Sequence, residues 1–176
     1  MKCFLFYTVI LIFIASCAQQ VQETSKVITM KLTSPAFANN GAIPSEFTCD
    51  GSDVSPPLAI SDAPKNAKSL ALIMDDPDAP VGTWDHWIVF NIPASTKEIM
   101  KGKEPMGTPG QNSWGRTGYG GPCPPSGTHR YFFKLYALDV SSLPSYEIQP
   151  NKAQIEKAMQ GHIIEKAELM GTYKRK

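Results

Sequence analysis

The chain has 176 residues, 42% of them hydrophobic and 19% charged, with 17 basic against 16 acidic side chains. That length suits one ordinary domain and is short for two, and a balance so close to zero supplies no long-range field for nucleic acid or an acidic partner. Fifteen prolines and thirteen glycines exclude a helical bundle and favour a fold with many turns.

The first residues are a different material. Met1-Lys2 is a minimal basic start, and residues 3–14 are almost wholly apolar. An apolar run of about a dozen residues is short for a membrane span, which needs roughly 20, and fits a signal-peptide core. Ala15-Ser16-Cys17 resembles the lipobox of bacterial lipoproteins, in which cleavage precedes the cysteine and lipid is attached to it. The alternative is an ordinary signal peptide with a chance cysteine. The expected organisation is a signal peptide over 1–16, a lipidated Cys17 and polar tether over 17–26, and a single domain over 27–176. The protein is then extracytoplasmic, periplasmic or at the cell surface, and held to a membrane by its lipid. Removal of 1–16 takes Lys2 and leaves basic and acidic side chains equal at 16 each. Cys49 and Cys123 then remain, and two cysteines in an exported domain invite a disulfide. Two separate buried thiols are the alternative, because sequence alone does not bring their Cα atoms within bonding range.

Residues 27–32 alternate and predict a first strand with one apolar face. Asn39-Asn40-Gly41 marks a turn, and Ser55-Pro56-Pro57-Leu58 is extended by its prolines. Residues 69–75 predict a buried strand, with Leu70, Leu72, Met74 and Asp76 sharing one parity. Residues 86–92 predict another, with His86, Ile88, Phe90 and Ile92 on one face, ended by Pro93. The stretch 101–128 has no period, but Trp114, Tyr119 and Pro122-Cys123-Pro124-Pro125 point to an ordered loop, and long loops in compact domains are usually functional. Residues 129–139 are apolar on both faces, the pattern of a central strand covered on both sides. Asn151 caps a helix with Gln154 as its capping-box partner, and Ile155, Met159, His162 and Ile163 carry the helical period to about Glu165. Residues 167–173 read as a last short strand.

Charge collects between the first two buried strands. Asp75-Asp76-Pro77-Asp78 is followed by Trp84-Asp85-His86, and His129 and Tyr131 open the central strand. Carboxylates and imidazoles beside apolar strands cost desolvation energy unless each has a partner. Asp75, of opposite parity, is expected to be solvated. Asp78, before Ala79-Pro80, serves the turn as well as any ligand. A metal site lacks close ligand spacing such as H-E-x-x-H. A hydrolase needs an activated nucleophile, and Ser126 near His129 lies outside any G-x-S-x-G context. A purely structural role explains less well why two histidines and a tyrosine occupy matching strand ends. Imidazole N–H groups, a tyrosine hydroxyl and loop amides can together donate to an anionic oxygen. One aspartate can hold a histidine in its tautomer or keep it protonated, and the other can accept the proton of a monoprotonated phosphate, so a small anion with a hydroxyl fits better than a fully charged one.

Two long motifs carry a resemblance: Asp76-Pro77-Asp78-Ala79-Pro80 with Trp84-Asp85-His86-Trp87, and Gly121-Pro122-Cys123-Pro124-Pro125-Ser126-Gly127-Thr128-His129-Arg130-Tyr131. With Cys49-Asp50-Gly51 and Gly118-Tyr119-Gly120, they resemble the phosphatidylethanolamine-binding protein family, in its bacterial Raf-kinase-inhibitor-like branch, over residues 34–173. The resemblance implies a mainly β fold, a large antiparallel sheet packed on a smaller one with few peripheral helices. It also implies a non-catalytic surface pocket for phosphate, phosphoryl head groups or similar anions, formed by Asp76, Asp78, Trp84, His86, Pro124, His129 and Tyr131. No cofactor, metal or catalytic residue is implied. Cis bonds occur around such pockets, which makes Gly121-Pro122 and Pro124-Pro125 candidates. Eukaryotic members carry a C-terminal helix and regulate kinases, neither of which is expected here. Some members inhibit serine proteases, so a partner-binding regulator is the alternative function, and a hydrolase comes after it.

Overall fold

The computed structural model describes residues 29–175, so the signal segment, Cys17 and the tether lie outside the described residues. The fold is mainly β. Strand β4 (Ser69–Asp76) is buried along its whole length, because its two faces belong to two different cores. Leu70, Leu72 and Met74 enter one, and Ala71 and Ile73 enter the other. It lies between β5 (Trp84–Pro93) and β8 (His129–Leu138), antiparallel to both. The sheet continues through β9 (Ile163–Tyr173) to β2 (Gly41–Ala42) on one side and to β7 (Thr108–Pro109) on the other. Among the described strands, β2 alone runs parallel to its neighbour. A smaller sheet of β1 (Lys31–Thr33), β3 (Leu58–Ser61) and β6 (Glu98–Ile99) packs on one face of the large one. Leu32, Leu58, Ile60 and Ile99 from the small sheet meet Leu72, Trp87, Phe133 and Leu135 there.

Helix α1 (Lys152–Met159) covers the opposite face and buries Ile155 and Met159 against Ile73, Ile88, Phe90 and Leu138. Its capping box is formed as expected: Gln154 N donates to Asn151 Oδ1, and Asn151 N donates to Gln154 Oε1. The helix stops before the expected Glu165. Gly161 takes a positive φ of 79°, which directs the chain into β9 four residues before the expected strand start at 167. Of the first strand expected over 27–32, residues 29 and 30 precede β1, which starts at Lys31, and residues 27 and 28 lie outside the described residues.

The expected common face of His86, Ile88, Phe90 and Ile92 does not exist, because β5 carries two bulges. Leu70 pairs with Ile92 but Leu72 with Val89, and Met74 pairs with Trp87 but Asp75 with Asp85. Asn91, at φ 57°, sits in the first bulge, and His86 is the extra residue in the second. A bulge moves every side chain beyond it across the sheet. Ile88 and Phe90 therefore face the helix, while Ile92 joins Trp87 and Val89 against the small sheet. Cys49 and Cys123 are joined in a disulfide, their Cα atoms 5.4 Å apart. Every described peptide bond is trans, including both candidates for cis.

Candidate functional site

Strands β4, β5 and β8 all reach one end of the large sheet, and the pocket stands there. Asp76 ends β4, and the Pro77-Asp78 turn leaves it with the Asp78 amide donating to Asp76 Oδ1 at 2.8 Å. Its other oxygen, Oδ2, accepts from His129 Nδ1 at 2.7 Å. Asp76 and His129 are 3% and 7% exposed, so this pair is made away from water. The bulge at His86 aims its imidazole at the same place. There the ring packs edge-on to Tyr131 at 5.2 Å and to Trp114 at 5.0 Å.

His86 Nδ1 lies 2.7 Å from the Gly120 carbonyl oxygen. A carbonyl can only accept, so Nδ1 carries the hydrogen and the neutral ring turns a bare Nε2 outward. Burial holds this imidazole below its ordinary pKa of 6.5, opposed by the Gly120 carbonyl and by Asp76. Tyr131 lies beneath the two histidines with its hydroxyl fully buried and without a partner in bonding geometry. Burial, and then the nearby Asp76 carboxylate, drive its pKa far up, so it remains a phenol.

The far wall is the irregular stretch after Thr108, and several contacts order it. Tyr119 donates its hydroxyl to the Phe47 carbonyl at 2.7 Å, and the Gly121 amide donates to Asp53 Oδ1 at 2.7 Å. Gly121 approaches so closely that a Cβ there would stand 2.5 Å from the Phe47 oxygen. The Cys49–Cys123 bond closes the same seam. Asn112 Oδ1 accepts from the amides of Trp114 and Arg116, placing Trp114 edge-on to Trp84 at 5.4 Å.

The cavity is half open to solvent, about 280 Å³ in volume, and is lined by Asp76, Trp84, His86, Pro124 and His129, together with Ala79, Pro80, Val81, Trp114, Cys123 and Pro125. Tyr131 forms the base behind that lining. Asp78, expected among the ligand contacts, instead closes a fork on Arg130. Its carboxylate accepts from Arg130 N, Nε and Nη2 at 2.9, 2.9 and 2.7 Å, and the side-chain bonds to Arg130 hold its pKa down at about 2.

Asp75 is the second correction. It is buried rather than solvated, on the helix face, and accepts from Lys134 Nζ at 2.6 and 2.7 Å and from Lys152 Nζ at 2.7 Å. Lys152 also donates to Asp85 at 3.0 Å. Asp85 exchanges backbone and side-chain bonds with Ser113, so helix α1 is tied to the loop that holds Trp114. Trp114 was missed because nothing periodic surrounds it; its one signal was an aromatic among glycines. A larger groove of about 820 Å³ lies between β5, residues 140–150 and α1. Its histidine, His162, is half-buried and paired to Asp139, and the groove shares no residue with the Asp76 pocket.

The family model for phosphatidylethanolamine-binding protein matches residues 33–174. The chain belongs to the phosphatidylethanolamine-binding protein family. A UPF0098 protein of Methanothermobacter thermautotrophicus is 48% identical over 152 residues, 83% of this chain and 99% of its own. A crystal structure of a phosphatidylethanolamine-binding protein homologue from Chlamydia trachomatis superposes with a TM-score of 0.81 at 46% identity, over 85% of this chain and 99% of that one. Escherichia coli YbcL, described as a new member of the mammalian family, does so at 0.76 and 32% identity, over 84% and 99%. The two-sheet architecture expected of a phosphatidylethanolamine-binding protein is the one found.

Proposed function

We propose that this phosphatidylethanolamine-binding protein uses the Asp76 pocket to hold a small oxyanion, phosphate or a phosphoryl head group, and performs no chemistry on it. The observation that supports this most is the buried Tyr131 hydroxyl left without a partner beside two imidazoles. A buried hydroxyl ordinarily finds a partner, and the polar groups nearest this one are the Asp76 carboxylate, which itself lines the cavity, and the Cys123 backbone. Among the described residues lining the cavity there is no serine or threonine, the one cysteine, Cys123, is in a disulfide, and the Tyr131 phenol behind them holds its proton, so the carboxylate–imidazole pair has no activated nucleophile beside it.

Titration of phosphate, phosphoethanolamine and acetate, followed by the imidazole resonances of His86 and His129, tests the reading. Shifts that saturate in the millimolar range or below are expected, and His129→Ala should abolish them. Resonances unmoved by every anion would remove the pocket's assigned role. The domain is proposed to work outside the cytoplasm on a lipid tether at Cys17. Cys17→Ser is expected to release it from the membrane fraction, and unchanged retention there would refute the anchor.

A further inference from the structure

Charge sets a condition on what the pocket can hold. Among the described residues no arginine or lysine lines it; the guanidinium of Arg116 lies over the Trp114 ring at 5.5 Å and donates to the Tyr119 carbonyl. Arg130, adjacent to His129, has its guanidinium engaged by Asp78, and Lys134 and Lys152 stand on the helix face with Asp75. Backbone donors are equally scarce. The Gly120 amide donates to the His86 carbonyl and the Gly121 amide to Asp53. Pro122, Pro124 and Pro125 have no N–H to offer, which leaves this wall the Cys123 amide beside Tyr131, one donor rather than the nest of amides by which loops usually cradle phosphate.

The groups around His86 are therefore few. From β4 comes the Asp76 carboxylate, with Asp75 behind it neutralised by its two lysines. From β5 comes Asp85, held by Lys152. From β8 come His129 and Tyr131, and from the loop come Trp114, the Gly120 carbonyl and the Cys123 disulfide. Among the described residues, the one permanent charge in the cavity lining is negative, that of Asp76. With Nδ1–H committed to Gly120, neutral His86 presents an acceptor, Nε2. With Nδ1–H committed to Asp76, neutral His129 does the same. The Tyr131 hydroxyl and the indoles donate without supplying charge. With both rings neutral, an oxyanion bearing only lone pairs would meet two further lone pairs and a carboxylate.

Resting on the anion-binding reading above, we infer that the pocket takes its oxyanion together with one proton. That proton lies between a ligand oxygen and the Nε2 edge of His86 or His129. It arrives most readily on the ligand, because burial resists charging the empty His86 ring. The preferred ligand class is thus a phosphate or phosphomonoester monoanion, which brings an acidic O–H. Sulfate, of similar size, brings none, and its binding must protonate an imidazole.

Calorimetry with inorganic phosphate and with sulfate, in buffers of different ionisation enthalpy, reads the proton count directly. At about pH 8, where phosphate is mostly dianion, uptake of about one proton per phosphate bound is expected. By linkage, affinity should then fall about tenfold for each further pH unit. Sulfate should bind at least about tenfold more weakly than phosphate at that pH. His86→Gln offers an amide N–H2 that donates at every pH. It should weaken the pH dependence and narrow the gap between the two anions while the far-ultraviolet spectrum stays native. Phosphate binding with no proton uptake and no pH dependence would overturn this inference and leave the anion-binding reading intact. Heat and His resonances unchanged by both anions from about pH 5 to 8 would overturn the reading itself.

Discussion

Replacing Asp75 with alanine isolates the largest electrostatic commitment in the fold. Its carboxylate has no exposure, while the side chains of Lys134 and Lys152 are 22% and 16% exposed. Removing one partner of a buried pair typically costs about 3–5 kcal/mol, most of it the penalty of leaving charge buried and uncompensated. Here the remaining charges are partly wet, Lys152 keeps Asp85 at 3.0 Å, and long lysine stems can carry their heads outward. The lower end, about 3 kcal/mol, is therefore expected. Urea unfolding with an unchanged m-value and a lowered midpoint reads this. Because the cost arises from stranded ammonium groups, adding Lys134→Met and Lys152→Met to Asp75→Ala should recover more than half of the loss. A single Asp75→Ala variant within about 0.5 kcal/mol of the parent would refute the argument, as would a triple variant that is additively worse.

Three further outcomes are expected. Converting Cys49 and Cys123 to serine opens a link between residues 74 apart in sequence, for which chain entropy gives about 4 kcal/mol; thermal melts with and without the bond should differ accordingly. Asp78 has its pKa lowered from 3.8 to about 2 by Arg130. Its pairing therefore contributes stability that is complete above about pH 4 and lost as pH falls through about 2. Arg130→Ala should remove that part of the acid-unfolding slope, and an unaltered slope would assign it elsewhere. Asn151→Ala deletes half of a capping box and should cost about 1 kcal/mol by denaturant midpoint, with Asn151→Asp close to neutral.

The elements were legible wherever local pattern decides them. Asn151 and Gln154 state a helix start in three residues, and the doubly apolar run at Tyr131–Leu138 could only be central. The sequence-level pairing of the Asp76 and His129 regions also held, because each lies at the end of a buried run. What was not legible depends on partners distant in sequence. Alternation placed His86 with Ile88, and the bulge that separates them is set by how β5 registers on β4. Asp75 was read as solvated because parity gives a face, not what covers it, and α1 arrives from 77 residues away. The helix end was overrun because Ile163 and Ile164 suit a helix or a strand equally, and only the left-handed Gly161 decides.

The placement of β8 beside β4 also has a consequence for time. The β4–β5 hairpin is local, but His129 meets Asp76 across 53 residues, and Gly41 pairs with Gly171 across most of the chain. Non-local pairing of this kind folds on the scale of milliseconds to seconds, because loop closure must precede its reward. The pocket cannot exist before β8 docks, even though the hairpin that bears His86 can form early. The paired indoles of Trp84 and Trp114 thus make the site a natural clock. Their fluorescence should change in the slow phase that completes the sheet, after the far-ultraviolet signal of the hairpin has begun to develop.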